Sequence, residues 1–190
     1  SSLGGSSTIS NADIEKTQWA FPALAEAGFN GYSKTDITKF LSGKQVNVNP
    51  YVGGLTTGFN GNSTKKDFET LFQMVYGYFT GLNYDLASFN SFKAKQQGFL
   101  DNLLSNPQTY FQSEVQKYLN QKNPRFFGII PDAKAWEKTD YKLAYDIYKQ
   151  KVANAGNYQF YFVGNIDEAQ LKTFAEKYIG SLPSTGKAET

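Results

Sequence analysis

The sequence predicts an α+β domain: a mainly antiparallel sheet packed on one side by several helices. Three observations predict it. The β-branched and aromatic run Tyr158-Gln159-Phe160-Tyr161-Phe162-Val163 is broken by Gly164-Asn165 and followed by a helical pattern. Residues 45–61 read as two short strands joined at Gly53-Gly54. Before, between and after these lie about six segments whose apolar residues recur at helical spacing. No internal repeat is present.

Residues 1–10, SSLGGSSTIS, are small and polar, and read as a flexible lead-in or a strand remnant. Asn11 or Asp13 is placed to cap a first helix that carries Ile14, Trp19, Phe21 and Leu24 as far as Gly28. Pro22 falls inside that stretch and predicts a kink or a second start. Asn30-Gly31 marks a turn, and Ser33 with Asp36 forms a capping box for a short helix over 34–41 that stops at Gly43. In the hairpin, Val46 and Val48 alternate with Asn47 and Asn49, the period of a half-buried strand. Ser63-Thr64 with Asp67 then opens a strong helix bearing Phe68, Leu71, Phe72, Val75, Tyr76 and Phe79. Asp85 opens a long helix to about Ser105, and Pro107 suits the first turn of the next. Residues 124–138 are the least regular. A helix over 141–154 ends at Gly156 and delivers the chain to 158–163, whose continuous aromatic run predicts a central strand buried on both faces. Asp167 caps a last helix, with Gln170 as its capping-box partner and Gly180 and Pro183 as stops. The expected organisation is one domain over 11–183, followed by a polar, linker-like tail over 184–190.

Composition narrows the function classes. The 190 residues carry a formal net charge of +2 and no basic run, so nothing suggests nucleic acid. No apolar run is long enough to span a membrane. Sixteen Phe and 13 Tyr are many for this length, and they serve first as packing between sheet and helices. With no cysteine, disulfides and thiolate chemistry are excluded from this chain; with no histidine, so are a Ser-His-Asp triad and a His-ligated zinc.

The remaining motifs have local explanations. Gly58, Gly61, Ser63, Thr64 and Lys65 lack the order of a phosphate loop and read as a turn with a helix cap. Asp13 and Glu15, Asp67 and Glu69, and Asp167 and Glu168 fall in first helical turns, where they favour the helix dipole. No carboxylate set is placed for metal or acid–base work. Arg125, the only arginine, stands in Asn123-Pro124-Arg125-Phe126-Phe127. A salt bridge or ring stacking is the expected structural role, with contact to a substrate or partner as the functional candidate.

Ordered phrases add a resemblance. They are Ala25-Glu26-Ala27-Gly28-Phe29-Asn30-Gly31-Tyr32-Ser33, the Pro50-Tyr51-Val52-Gly53-Gly54 hairpin, Asn62 to Asp67, Asn123-Pro124-Arg125, Ala153 to Gly156, and Val163-Gly164-Asn165-Ile166-Asp167 leading to Ser181-Leu182-Pro183. Over roughly residues 4–186 this set resembles the pitrilysin/insulinase (inverzincin) family of zinc metallopeptidases. Within it the set is most like a domain of the large periplasmic zinc proteases. The resemblance implies a pitrilysin-like, LuxS/metallohydrolase-like layer lacking its N-terminal strands. Active domains of that family carry H-x-x-E-H on their first long helix. Alignment on the Phe-Asn-Gly phrase puts Pro22-Ala23-Leu24-Ala25-Glu26 there, so Pro22, Ala25 and Glu26 hold the degenerate motif positions and no catalytic or metal residue is expected.

The implied function is a non-catalytic domain that helps wall a peptide-enclosing chamber, with zinc in another domain of the parent protein. The alternative is a catalytically dead relative serving as an interaction or assembly module. Expected partners are other domains of the same parent chain, the parent's peptide substrate, and a second copy joined through an exposed sheet edge. The implied location is the periplasm or cell envelope, with the cytoplasm as the alternative.

Overall fold

The computed structural model describes residues 1–131 and 133–186. Its centre is the expected hairpin, β2 (Val46–Val52) and β3 (Thr56–Ser63), in antiparallel register from Val46 opposite Ser63 to Val52 opposite Thr57. A two-residue strand, β1 (Ser2–Leu3), adds to the other side of β3, giving the order β1-β3-β2. Alternation sets the two faces: Val48 and Pro50 are buried, while Asn47, Asn49, Asn60 and Asn62 are exposed. Helix α3 (Phe68–Gly81) lies on the apolar face, burying Phe72, Met74, Tyr78 and Phe79. The architecture is thus α+β, with a small antiparallel sheet and helices on one side.

The first helix divides where proline predicts. Helix α1 (Asn11–Thr17) is capped by Ser10, whose side chain accepts from the Asp13 N–H, rather than by Asn11 or Asp13. After a turn, the chain restarts as a 3-10 helix, Phe21–Glu26, with Pro22 in its first turn where a missing N–H costs nothing. Helix α2 (Lys34–Phe40) carries the full Ser33/Asp36 capping box. Between these, Phe29 and Tyr32 pair across Asn30-Gly31, both at positive φ (53° and 80°), an Asn-Gly turn of the type that closes tight hairpins. Phe29 meets Tyr78 edge to face at 4.8 Å and lies directly over Gly77 of α3.

Helix α4 (Leu86–Leu104) follows, its first turn held by the Asp85 carboxylate through the Ser88 N–H and hydroxyl. Helix α5 (Pro107–Leu119) packs back on α4, capped by Asn106. Helix α6 (Ala133–Lys138) occupies part of the stretch expected to be irregular; the buried Trp136 anchors it, a single apolar residue too little to give a sequence period. Helix α7 (Tyr141–Lys151), capped by Asp140, sends Tyr141, Ala144 and Tyr148 into the core. Helix α8 (Glu168–Phe174) is capped by Asp167 through the Gln170 N–H and runs on into a π turn, Ala175–Ile179, closed by Gly180 N–H to Ala175 O at 2.8 Å.

Residues 158–163 correct the expectation of a central strand. The segment is extended, but among the described residues it pairs only at its start, where Tyr158 bridges Ser2 and Gln159 exchanges two hydrogen bonds with Ser1. Tyr158, Phe160 and Phe162 turn inward, whereas Tyr161 is 75% exposed and Val163 97%. An aromatic run with this alternation covers one face; the continuous composition concealed the period. The N-terminal ten residues are built into the fold: Lys151 donates to the Gly4 and Gly5 carbonyls and to Thr8. Of the tail expected over 184–190, residues 187–190 lie outside the described residues.

Candidate functional site

The degenerate motif positions lie in the 3-10 helix Phe21–Glu26. Ala23 and Leu24 are buried, Pro22 points outward, and Ala25 and Glu26 are half-buried. The Ala25 carbonyl accepts from the Tyr78 hydroxyl at 3.4 Å and from Lys34 Nζ at 3.3 Å. Burial, with the Glu26 charge adding to it, pushes the Tyr78 phenol up to about 12. The segment is a packed floor between α3, α4, α7 and β2. Among the described residues no three His, Cys, Asp or Glu side chains gather where they could hold a metal. Pro22 and Ala25 offer no ligand atom, so this position does not fit zinc.

Backbone geometry adds a second obstacle. In an α-helix, residues four apart are separated by about 40° around the axis; in a 3-10 helix, by about 120°. Positions 22 and 26 therefore do not share a face. Grafting the motif as Pro22→His, Ala25→Glu and Glu26→His is expected to leave the chain without stoichiometric zinc after dialysis against the metal. One tightly held zinc per chain would show that the turn rewinds into an α-helix.

Arg125 is a tie for the N-terminal segment. Its guanidinium donates to the Ser6 carbonyl at 2.6 Å, the Ile9 carbonyl at 3.0 Å and Asn11 Oδ1 at 2.7 Å. These acceptors are neutral, and no ion pair of Arg125 occurs among the described residues. The expected salt bridge or ring stacking is thus replaced by main-chain anchoring, which suits a planar, forked donor. Arg125→Ala is expected to destabilise the fold by about 1.5–3 kcal/mol, the worth of hydrogen bonds to a charged group. Arg125→Lys should recover less than half, since one ammonium cannot reproduce the fork. Urea unfolding of the three proteins checks this.

The supposed phosphate loop is filled by its own carboxylate. Asp67 is buried and accepts from the Gln45 N–H at 2.8 Å and the Thr64 hydroxyl at 2.9 Å. Those bonds, the Gln45 N–H first, hold its carboxyl below the usual range. A fixed anion stands where a phosphate would bind.

One concavity was not singled out in the sequence. It is a groove of about 400 Å³ between β3 and the extended residues 159–166, floored by Phe68, Leu71, Phe72 and Val75 of α3. Phe72 is its hub, stacked on Phe162 at 5.1 Å and close to Phe174 at 5.7 Å. Elsewhere on α3, Glu69 accepts from Lys177 at 2.9 Å and from the Tyr178 hydroxyl at 2.8 Å. Those bonds, Lys177 first, lower its carboxyl. Alternating aromatics at 158–162 were the available signal, and reading them as doubly buried hid the groove.

This arrangement, a small antiparallel sheet with helices on one face, is similar to domains of pitrilysin-like proteases. Three solved structures carry the likeness. The periplasmic protease PqqL from Escherichia coli matches over 100% of this chain and 20% of its own, with a TM-score of 0.72 and 18% identity. A protease from Helicobacter pylori matches over 99% of this chain and 45% of its own, at 0.65 and 11%. The ferredoxin protease FusC, a variant in complex with Arabidopsis ferredoxin, matches over 100% of this chain and 20% of its own, at 0.61 and 12%. The chain therefore spans a fifth to under a half of these proteins' length. No family model and no curated protein matches it.

Proposed function

We propose that the chain is a non-catalytic domain of a larger pitrilysin-like zinc metalloprotease, forming part of the wall around a peptide chamber, with the zinc held by another domain of the parent. The observation that carries this reading is the fold likeness over the whole chain to part of each protease, joined to a motif position occupied by Pro22, Ala25 and Glu26. Partners on this reading are the neighbouring domains and the parent's peptide substrate. The periplasm or cell envelope is the proposed location, a reading supported by the likeness to a periplasmic protease; no helix of the described residues is long and apolar enough to cross a membrane.

The test uses the isolated chain and the full-length gene product. The chain is expected to hold no stoichiometric zinc and to cleave no peptide, while the full-length product carries an H-x-x-E-H elsewhere and loses peptidase activity when that glutamate is replaced. Peptide cleavage by the purified chain would overturn the reading.

A second reading is an assembly module, favoured by the outer face of α5, where Phe111, Tyr118 and Leu119 are exposed at helical spacing. A full-length product without H-x-x-E-H that co-purifies with an active protease would favour it. Light scattering over a concentration series tests the related proposal that the chain pairs with a second copy through its sheet edge; a strict monomer removes it.

A further inference from the structure

The solvent face of the hairpin carries two facing asparagine pairs, Asn47 with Asn62 and Asn49 with Asn60, all exposed. The residue after each one sets its chemistry, because that residue's main-chain nitrogen can attack the side-chain amide carbon. Asn49 precedes Pro50, whose nitrogen carries no hydrogen. Asn47 precedes Val48, which is β-branched and fully buried. Asn62 precedes Ser63. Asn60 precedes Gly61, which has no side chain to hinder the approach.

The ladder decides which of these nitrogens is available. Thr64 N–H donates to Gln45 O, and Gly53 N–H to Thr56 O. With the β2–β3 register, Asn60 and Asn62 therefore direct their own N–H and C=O at β2. Gly61 and Ser63 direct theirs to the opposite side of β3, where β1 pairs only with Thr56 and Thr57. Among the described residues no hydrogen bond engages the Gly61 N–H or the Asn60 side chain. Both residues are exposed, so water reaches the reacting atoms.

The other Asn-Gly step, Asn30-Gly31, is tied at both residues. Gly31 N–H donates to Asn83 Oδ1 at 2.9 Å, and Asn30 N–H to the Gly81 carbonyl at 2.7 Å. Asn30 Oδ1 lies against Gly81, where an added Cβ would stand 1.8 Å from it.

We propose that Asn60 is a site of spontaneous deamidation through a cyclic imide. The Gly61 nitrogen bonds to Asn60 Cγ, the Cγ–Nδ2 bond breaks, and the nitrogen leaves as ammonia carrying the proton that Gly61 gives up. Water then opens the ring at either carbonyl, yielding aspartate or isoaspartate; nothing is oxidised or reduced. Ring closure requires Asn60 to leave its extended backbone. A strand paired on one side permits that, whereas the bonded Asn30-Gly31 turn resists it. The isoaspartate adds a carbon to the main chain, which puts 61–63 out of step with 46–48 while 56–59 keep their partners. Either product places a carboxylate on a hairpin that has no Asp, Glu, Lys or Arg from Gln45 to Ser63. The reaction depends on register and exposure, not on the protease reading.

The test ages the folded chain at neutral pH and physiological temperature and follows each asparagine by peptide mass mapping, with chromatography separating aspartate from isoaspartate. The same chain in guanidinium gives the reference, in which Asn30 and Asn60 both precede glycine without structure. Conversion in the folded chain is expected first at Asn60, with the ratio of Asn60 to Asn30 raised about tenfold or more over the unfolded chain. Asn60→Thr should abolish the early charge change. It is the safer variant, because a Cβ at Gly61 would stand 2.8 Å from both Asn47 O and Leu71 Cδ1. In the isoaspartate fraction, amide exchange at Asn47 and Asn62 should quicken about tenfold or more, with Tyr51 and Gly58 unchanged. An Asn60 that converts in guanidinium but stays an amide in the folded chain overturns the proposal. Conversion first at Asn30, or an early charge change that survives Asn60→Thr, overturns it as well. Unchanged exchange in the isoaspartate fraction overturns the register shift.

Discussion

Tyr148→Ala is expected to cost about 3–5 kcal/mol, the range for truncating a large buried aromatic side chain. Typical domains hold only about 5–15 kcal/mol in total, so the variant should be unfolded or nearly so at moderate temperature. Tyr148 is fully buried on α7, and its hydroxyl donates to the Tyr78 carbonyl at 2.9 Å, joining α7 to α3 across the core. Burial pushes its phenol well above the ordinary value. Tyr148→Phe keeps the ring and removes only that bond, and should cost about 1 kcal/mol. Urea midpoints for the two variants separate packing from hydrogen bonding. An alanine variant within about 1 kcal/mol of the parent would show that the α3–α7 contact collapses to fill the space.

Gly28→Ala should be nearly as damaging, for a backbone reason. Gly28 has φ +72°, where a side chain costs about 1–2 kcal/mol. An added Cβ would also stand 2.1 Å from the Tyr32 carbonyl oxygen. That oxygen cannot retreat, because it accepts from the Phe29 N–H at 3.1 Å and from Asn83 Nδ2 at 2.8 Å. The combined penalty is expected to reach about 3 kcal/mol. Gly31→Ala is the control: its φ is +80°, but a Cβ there meets open space. It should cost only the backbone part, about 1–2 kcal/mol. Chemical denaturation of both variants gives the comparison. Equal losses would mean that the steric clash contributes nothing.

These two sites also mark what was legible in the sequence. The Asn30-Gly31 turn, the Ser33/Asp36 box and the Val46–Asn49 alternation are local signals, and each appears where its chemistry places it. The hairpin and α3 could be read for the same reason. What failed was anything decided by distant partners. Ser10 is the exception, since it caps α1 through the Asp13 N–H by a Ser-x-x-Asp spacing as local as that of Ser33 and Asp36. Residues 158–163 have the composition of a buried strand, yet burial depends on which neighbours flank them, and among the described residues strand pairing reaches only Tyr158 and Gln159. The groove follows from that same arrangement. Arg125 was visible as a lone arginine, but its acceptors are two main-chain oxygens and the Asn11 side chain, all over a hundred residues away, and carbonyls leave no compositional trace. The motif positions were different: the loss of a ligand at Pro22 and of the base at Ala25 was plain in the sequence, whereas the 3-10 winding that separates positions 22 and 26 needed the fold.

Helix α5 carries a consequence for how the molecule comes apart. It rests chiefly on α4, buries Ser113 alone, and leaves Tyr110, Phe111, Tyr118 and Leu119 in solvent. Little of the free energy that holds the sheet, α3 and α7 together passes through it. The helix can therefore melt while the remainder stands, which makes α5 a separate cooperative unit. A single two-state transition then describes the sheet and its helices but not the whole chain, and the stability assigned to the protein depends on which part a probe reports.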